Sequence, residues 1–299
     1  MAGPQVRRLR RRQIDDVRWN EAVGSSSRPL PYGLTWWLDC VTNAQWEGLI
    51  LDDYRTVLPL PQLYRGGFIP SYSRPLFTQQ LGPFGHVDEQ SVKLLFAAVP
   101  HRPYVSIPSS SIILTEKMLT EYNVTPRTNF TLAISKEYDE ILQRFPKKLR
   151  QYSRRWQSDH LRQCSANEVI ASYRDTLHGR GGLSAKDFDV LAKLIAAALT
   201  HQAGQCYALD SSEGSLAAGF FPTYLGRTIN LATGTTPLGA DQRGMTRMLL
   251  AIIRATCGKE HAVLDFEGSD LPGVREYFAK FGGQDEGYYV VERKWAILP

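Results

Sequence analysis

The sequence lacks the features by which several classes of protein are recognised. No apolar run approaches the ~18 residues that a membrane span needs, and no apolar stretch of signal-peptide length follows the charged N-terminus. The four cysteines are widely spaced without a CxxC pair, and the six histidines form no HExxH or HxxxH pair. These absences predict a soluble, cytoplasmic protein that has no membrane span, no disulfide framework and no bound metal.

Several catalytic signatures are missing as well. The chain has no GxSxG elbow, no Walker A loop and no GxGxxG fingerprint. Serine hydrolysis, P-loop phosphoryl transfer and dinucleotide binding are therefore not indicated.

Positive charge is concentrated in two places. The net charge of +5 equals the charge of five arginines near the N-terminus: Arg7, Arg8, Arg10, Arg11 and Arg12. A second group of basic residues is opposed only by Asp159: Arg144, Lys147, Lys148, Arg150, Arg154, Arg155 and Arg162. A basic tail and a basic helix of this kind favour anionic ligands over tracking along a long duplex.

The chain is long enough for two medium domains. Turn-forming residues at 123–129 predict a boundary that separates residues 1–125 from residues 126–299. The first part predicts a helix at 31–41, strands at 46–51 and 54–58, and a helix that Asp88 caps.

The second part alternates between strands and helices. Strands are predicted at 128–134, 206–210, 216–225, 228–233, 262–268 and 287–295, and helices at 183–201, 242–257 and 274–283. This alternation indicates an α/β or α+β layer fold.

Three segments in this order resemble the Fem-type transferases. They are the strand and arginine-containing helix at 128–156, the hairpin, helix and DFEG strand at 217–269, and the FAKFGG ending at 278–283. In addition, FTQQLGPFG at 77–85 resembles the first domain of Fem-like bacterial proteins. The resemblance implies two GNAT-like domains, each a mixed, mostly antiparallel sheet flanked by helices. It also implies transfer of an acyl or aminoacyl group from acyl-CoA or aminoacyl-tRNA to an amine acceptor. Cell-envelope synthesis and conjugate synthesis are two processes in which such a reaction would serve. No cofactor is expected to be bound permanently, and the donor and the oligomeric state stay open.

GNAT proteins bind the CoA pyrophosphate at a helix N-terminus, where backbone N–H groups are free. The corresponding residues here are Thr233, Gly234, Arg243, Gly244 and Thr246. The usual [QR]xxGx[GA] signature is altered, because Asp241 replaces the first residue and Thr246 the last. Asp241 is predicted to cap the helix, which would place a carboxylate where the pyrophosphate should lie.

Two carboxylates are candidates for proton transfer. Asp265 and Glu267 are two apart in a predicted strand and should project from one face. Either one could deprotonate an attacking ammonium group, directly or through water. The alternatives are that Glu267 or Ser269 caps the next helix, or that Asp265 pairs with an arginine.

The remaining candidates are substrate-binding residues. Lys147, Arg150 and Arg154 follow Pro146 on a helix whose Leu149, Tyr152 and Trp156 share one face, and could bind substrate phosphates or a tRNA end. The alternative is a solvated basic face. Gln79 and Gln80 could bind substrate in the first domain, or could satisfy buried backbone groups.

Two functions from different classes therefore compete. One is an acyltransferase, and the other is a non-catalytic GNAT-fold module that binds nucleic acid or another anionic partner through Arg7–Arg12 and the 147–155 helix. An enzyme that depends on aminoacyl-tRNA would accommodate both the basic helix and the altered phosphate loop.

Overall fold

The computed structural model describes residues 4–110, 120–177, 182–268 and 272–293. The chain divides into two compact units. The first contains the residues up to Arg127 together with those from Gly287 onward, and the second is Thr128–Glu286.

The first unit is a mixed sheet flanked by helices. Its strands are β1 (Val6–Arg10), β2 (Trp46–Leu51), β3 (Thr56–Arg65), β4 (Ile69–Ser73), β5 (Phe84–Gly85), β6 (Tyr104–Ser109), β7 (Tyr122–Arg127) and β16 (Tyr288–Arg293). Its helices are α1 (Asp16–Gly24), α2 (Thr35–Thr42) and α3 (Glu89–Ala97). The strand order is β1-β2-β3-β4-β6-β16-β7, and β5 pairs with β3. Trp19, Trp37 and Trp46 are buried in its core, because aromatic rings remove the largest apolar area from water.

The second unit is a second mixed sheet with helices on both faces. Its strands are β8 (Phe130–Ala133), β9 (His160–Gln163), β10 (Gly204–Ser211), β11 (Gly214–Tyr224), β12 (Arg227–Ile229), β13 (Ala232–Thr235), β14 (Val263–Asp265) and β15 (Gln284–Asp285). Its helices are α4 (Tyr138–Arg144), α5 (Lys147–Arg155), α6 (Ala166–Leu177), α7 (Ala185–Thr200), α8 (Pro237–Asp241), α9 (Gly244–Thr256) and α10 (Pro272–Ala279). The strand order is β15-β8-β14-β12-β11-β10-β9, and β13 pairs with β11.

Alternation along the strands sends side chains to two cores in this unit. Leu209 and Phe221 join a cluster with side chains from α4, α5, α9 and α10. Ala208 and Phe220, one residue earlier in each strand, are buried but lie outside that cluster. The helices α6 and α7 therefore cover the opposite face.

The two sheets share one topological plan. Each has one parallel pair, β4 with β6 and β12 with β14. In each, a strand that is distant in sequence from both of its neighbours fits antiparallel between them: β16 between β6 and β7, and β8 between β14 and β15. This common plan indicates a duplicated architecture that no repeated sequence reveals.

The observed fold confirms the expected class, two mixed and mostly antiparallel sheets flanked by helices. The division after Arg127 lies two residues from the expected boundary, but the closing strand belongs to the first unit rather than to the second. The helix expected at 31–41 is a 3-10 turn, Pro31–Gly33, followed by α2. The strand expected at 228–233 is instead two strands, β12 and β13.

The expected basic tail is an ordered strand. Residues Val6–Arg10 pair with β2. Three arginines of the tail, Arg7, Arg8 and Arg11, form ion pairs with carboxylates. Arg8 Nε lies 3.2 Å from Glu47 Oε2, and Arg11 binds both Asp16 and Asp39 at 2.7 Å. Much of this charge is therefore neutralised within the first unit.

Candidate functional site

The parallel strands of the second unit separate at their carboxyl ends. The pairing of β12 with β14 ends at Ile229 and Asp265, and Asn230 N then donates to Asp265 O at 2.8 Å. Beyond this point β13 pairs with β11 instead. The carboxyl ends of parallel strands are where α/β proteins place their ligands, so this opening is the candidate active site.

Asp265 lies at the base of this opening and is fully buried. Its Oδ2 accepts from Arg227 Nη1 at 2.7 Å and from Asn129 Nδ2 at 3.3 Å. Burial raises the pKa of the Asp265 carboxyl, and the charge of Arg227 opposes that increase. This ion pair matches the alternative predicted from the sequence, in which Asp265 pairs with an arginine. In this arrangement Asp265 holds neighbouring groups in place.

Glu267 follows two residues later in a left-handed conformation, with φ of 56°. Its backbone N–H donates to Asp265 Oδ1 at 2.9 Å, and the residue is half-buried. The strand ends at Asp265, so the alternation that would place both carboxylates on one face does not reach Glu267. A positive φ in a residue other than glycine is costly and is concentrated at functional sites.

Tyr173 on α6 is a candidate for a proton donor, because it lies close enough to Glu267 for that charge to affect its hydroxyl. Burial raises the pKa of its hydroxyl, and the negative charge of Glu267 raises that pKa further. The hydroxyl therefore stays protonated at neutral pH. Sequence analysis missed Tyr173, because α6 carries no motif and only the fold brings it near Glu267.

Thr233 and Gly234 lie on β13, on the other side of the opening. Thr233 Oγ1 donates to Asn230 Oδ1 at 2.6 Å. A Cβ on Gly234 would lie 2.1 Å from the carbonyl oxygen of Ser172, so glycine allows α6 to pack closely on this strand. Helix packing therefore accounts for this glycine without a ligand, and the predicted role in CoA binding stays a prediction.

The start of α9 differs from the expectation. Asp241 ends the short helix α8 and does not cap α9, whose N-cap is Arg243 with φ of 60° and no side-chain cap. In the first unit, by contrast, Asp88 caps α3 and accepts from Ser91 N at 2.7 Å. The N-terminus of α9 is thus left without a side-chain acceptor, the arrangement that suits a bound anion.

Gly244 has a packing role at this helix start. A Cβ there would lie 2.9 Å from both the Cα of Gly239 and the carbonyl oxygen of Leu216. The glycine in the altered signature therefore fits the turn closely against β11.

A groove of about 240 Å³ lies beside Arg243 and is lined by apolar, aromatic and cationic side chains. Leu149, Tyr152, Tyr277 and Phe281 are among its lining residues, and its charged residues are Lys148, Arg243 and Lys280. Thr246 Oγ1 and the Tyr277 hydroxyl are hydrogen-bonded at 3.0 Å, and burial raises the pKa of Tyr277 to about 12. The groove therefore offers three cations and no carboxylate to a ligand.

A larger cleft of about 600 Å³ adjoins the groove at Tyr152 and Arg243. The rings of Tyr152 and Trp156 stack there with centroids 4.6 Å apart. Arg247 binds Asp159 through two hydrogen bonds of 2.7 and 2.5 Å, and this buried pair is neutral overall. Arg155 and Arg243 are the remaining cations of this cleft.

The basic helix α5 presents some of the predicted residues to solvent and uses another internally. Lys147 and Arg154 are exposed. Arg150 donates to the carbonyl oxygens of Gln143 and Phe145, both at 3.1 Å, and so satisfies the end of α4. At least one nitrogen of Arg150 is therefore occupied by the protein itself.

Gln79 and Gln80 belong to the first unit, and both are buried. Gln80 Nε2 donates to Gln79 Oε1 at 2.7 Å. Within the described ranges no cluster of three or more metal-binding side chains occurs, and no helix is long and apolar enough to cross a membrane.

The fold is similar to that of FemX and of a tandem GNAT protein, as the sequence resemblance implies. FemX is similar in structure with a TM-score of 0.70 and 10% identity, covering 95% of this chain and 96% of that chain. A tandem GNAT protein from the clavulanic acid biosynthesis pathway gives 0.54 at 10% identity, covering 97% and 98%. The C-terminal domain of a protein assigned as a lysylphosphatidylglycerol synthetase from Agrobacterium fabrum gives 0.57 at 11% identity, covering 94% and 92%. No family model and no curated protein matches the sequence.

Proposed function

We propose that the second unit transfers an acyl or aminoacyl group to an amine. The observation that carries this proposal is Glu267, which Asp265 fixes in a left-handed conformation where β12 and β14 separate. A carboxylate held at the carboxyl end of a central strand is well placed to accept a proton from an incoming ammonium group. The GNAT-type fold supports the same class of reaction.

The chemistry assigns one step to each of two side chains. Glu267 takes a proton from the acceptor ammonium, directly or through water, and the free amine attacks the acyl carbonyl carbon. A carbon–nitrogen bond forms, and the nitrogen of the tetrahedral intermediate releases its surplus proton to water. Collapse of the intermediate then breaks the carbon–sulfur or carbon–oxygen bond to the donor, and Glu267 returns its proton to solvent. Tyr173, kept protonated by its raised pKa, gives its proton to the leaving thiolate or alkoxide and recovers one from solvent.

The donor is proposed to bind at the start of α9. The first turn lacks a side-chain cap, and Lys148, Arg243 and Lys280 line the neighbouring groove. These features suit the phosphate groups of acyl-CoA or of aminoacyl-tRNA, and either one would be a co-substrate rather than a permanent cofactor. The exposed Lys147 and Arg154 extend the positive charge along α5, which favours the larger donor. Both donors imply a reaction in the cytoplasm.

The second candidate is a non-catalytic module that binds nucleic acid or another anion. The exposed basic residues of α5 favour it. The ion pairs of Arg8 and Arg11 weigh against it, because they neutralise part of the N-terminal charge on which that function depends.

A transfer assay separates the two functions. The full-length protein is incubated with primary amines and either labelled acetyl-CoA or labelled aminoacyl-tRNA. Amine-dependent transfer from one donor, weakened in Arg243→Glu but not in the exposed Arg275→Glu on α10, supports the transferase. Absence of transfer from either donor, together with salt-sensitive binding of tRNA, supports the non-catalytic module instead.

A further inference from the structure

The first unit carries a hairpin that protrudes from its own sheet. The pairing of β2 with β3 ends at Trp46 and Pro61, with one further hydrogen bond from Gln62 N to Gln45 O. The pairing of β4 with β6 begins at Ser71. Residues 64–70 therefore pair only with each other, and they form a two-stranded tip without neighbours in the sheet.

Aromatic side chains are exposed at this tip. Tyr64 is 61% exposed and Phe68 is 76% exposed, and Gly66 and Gly67 form the turn between them with φ of 61° and 84°. Leu76, just after β4, is 44% exposed. Single exposed apolar residues are common on protein surfaces. Three of them within thirteen positions around one protruding turn indicate an interaction surface.

The charged residues in the sequence around the tip are all basic. No aspartate or glutamate occurs between Asp53 and Asp88, and the basic residues in this interval include Arg65 and Arg74. Arg65 lies over the ring of Tyr104, 4.3 Å from its centroid. Among the described residues, neither Arg65 nor Arg74 forms an ion pair, whereas Arg55 is paired with Asp88.

Other acidic groups near the base of the hairpin are already engaged. Glu292 accepts a hydrogen bond from the Tyr104 hydroxyl at 2.8 Å. Glu47 accepts one from the Tyr72 hydroxyl and lies beside Arg8. The exposed end of the hairpin therefore combines aromatic rings with uncompensated positive charge.

We propose that this hairpin tip, Tyr64–Phe68 with Arg74, docks on the surface of an anionic phospholipid bilayer. Aromatic rings favour the interfacial region of a bilayer, and arginines are attracted to anionic headgroups. The protruding shape fits shallow insertion into a surface, and two arginines are too few for a nucleic-acid track. This proposal concerns the first unit and does not depend on the transfer reaction.

Vesicle flotation with the full-length protein tests this proposal. The probes are vesicles of phosphatidylcholine alone and of phosphatidylcholine mixed with phosphatidylglycerol. The expected result is flotation with the mixed vesicles only, weakened by salt. The double variant Tyr64→Ser/Phe68→Ser and the single variant Arg65→Glu should each bind about tenfold more weakly.

The matched control is Leu225→Ser, which removes a 60% exposed side chain from the β11–β12 turn of the second unit. It should float as the wild type does. Equal binding to neutral vesicles, no flotation, or unchanged flotation of the hairpin variants would overturn the proposal. A dimer that the hairpin variants dissociate, without vesicle binding by the wild type, would show that the tip contacts a second copy instead.

Discussion

Asp265 Oδ1 accepts a hydrogen bond of 2.9 Å from the backbone N–H of Glu267. This bond joins the fully buried Asp265 carboxylate to the backbone of a half-buried residue two positions later. The buried carboxylate, held by Arg227, fixes the backbone conformation of Glu267 at the end of β14. Asp265 is therefore expected to govern stability and geometry, and Glu267 to govern the reaction.

Replacing Asp265 by asparagine should destabilise the protein strongly. The variant leaves the buried Arg227 guanidinium without one of its two carboxylate partners, because Glu286 alone remains. Breaking a buried ion pair costs about 3–5 kcal/mol in free energy of unfolding. Urea denaturation measures this loss, and the exposed Glu276→Gln serves as the control. Equal stability of both variants would show that the pair contributes little.

Tyr173→Phe should alter the pH dependence of the transfer rate. Because burial and Glu267 raise the Tyr173 pKa above its ordinary value, its proton is retained beyond the pH at which an ordinary tyrosine titrates. The wild-type rate should thus decline only above that pH. The variant should be about a hundredfold slower and lose this decline. Tyr224→Phe on β11 is the control, and an identical profile in Tyr173→Phe would remove the residue from the mechanism.

Gly234→Ala should destabilise the second unit by disturbing the contact of α6 with β13. The added methyl group would lie 2.1 Å from the carbonyl oxygen of Ser172, and overpacking of this kind costs about 1–3 kcal/mol. Gly273→Ala is a matched control, because its Cβ would meet nothing within 4 Å. Thermal unfolding should distinguish the two variants. A destabilisation of equal size would show that the close contact is not the cause.

Ending the chain after Glu286 should unfold the first unit. The deletion removes β16, which lies between β6 and β7 and pairs with both strands. The buried Trp19, Trp37 and Trp46 lie in that unit, so their fluorescence should shift towards that of exposed tryptophan. Val291→Asp, which places a charge at a fully buried position of β16, should act in the same direction. A native fluorescence spectrum in both variants would show that the first unit does not need β16 between β6 and β7.

Much of the fold could be predicted from local patterns. The helix start at Asp88 is confirmed with a side-chain hydrogen bond, and the strand at Trp46–Leu51 has the expected bounds. Apolar periodicity and capping residues act over a few positions, so they can be read from the sequence. The place of β16 could not be predicted, since its partners lie more than 150 residues earlier in the chain.

The candidate site was only partly predictable for the same reason. Asp265 and Glu267 could be placed at a strand end, but the left-handed turn at Glu267 depends on Asp265, Arg227 and Asn129 meeting in space. Asp241 was expected to cap α9, and the structure instead places it at the end of α8. Tyr173 carried no signal, because its proximity to Glu267 is a property of the folded unit.

The most direct test of the account is the turnover number of Glu267→Gln in the transfer assay, with Glu276→Gln as the isosteric control. The account predicts that Glu267→Gln turns over about 10²–10⁴-fold more slowly while its melting temperature stays at the wild-type value, and that the control is unchanged. Wild-type turnover in Glu267→Gln would contradict the account, because the proposed base would then not be needed.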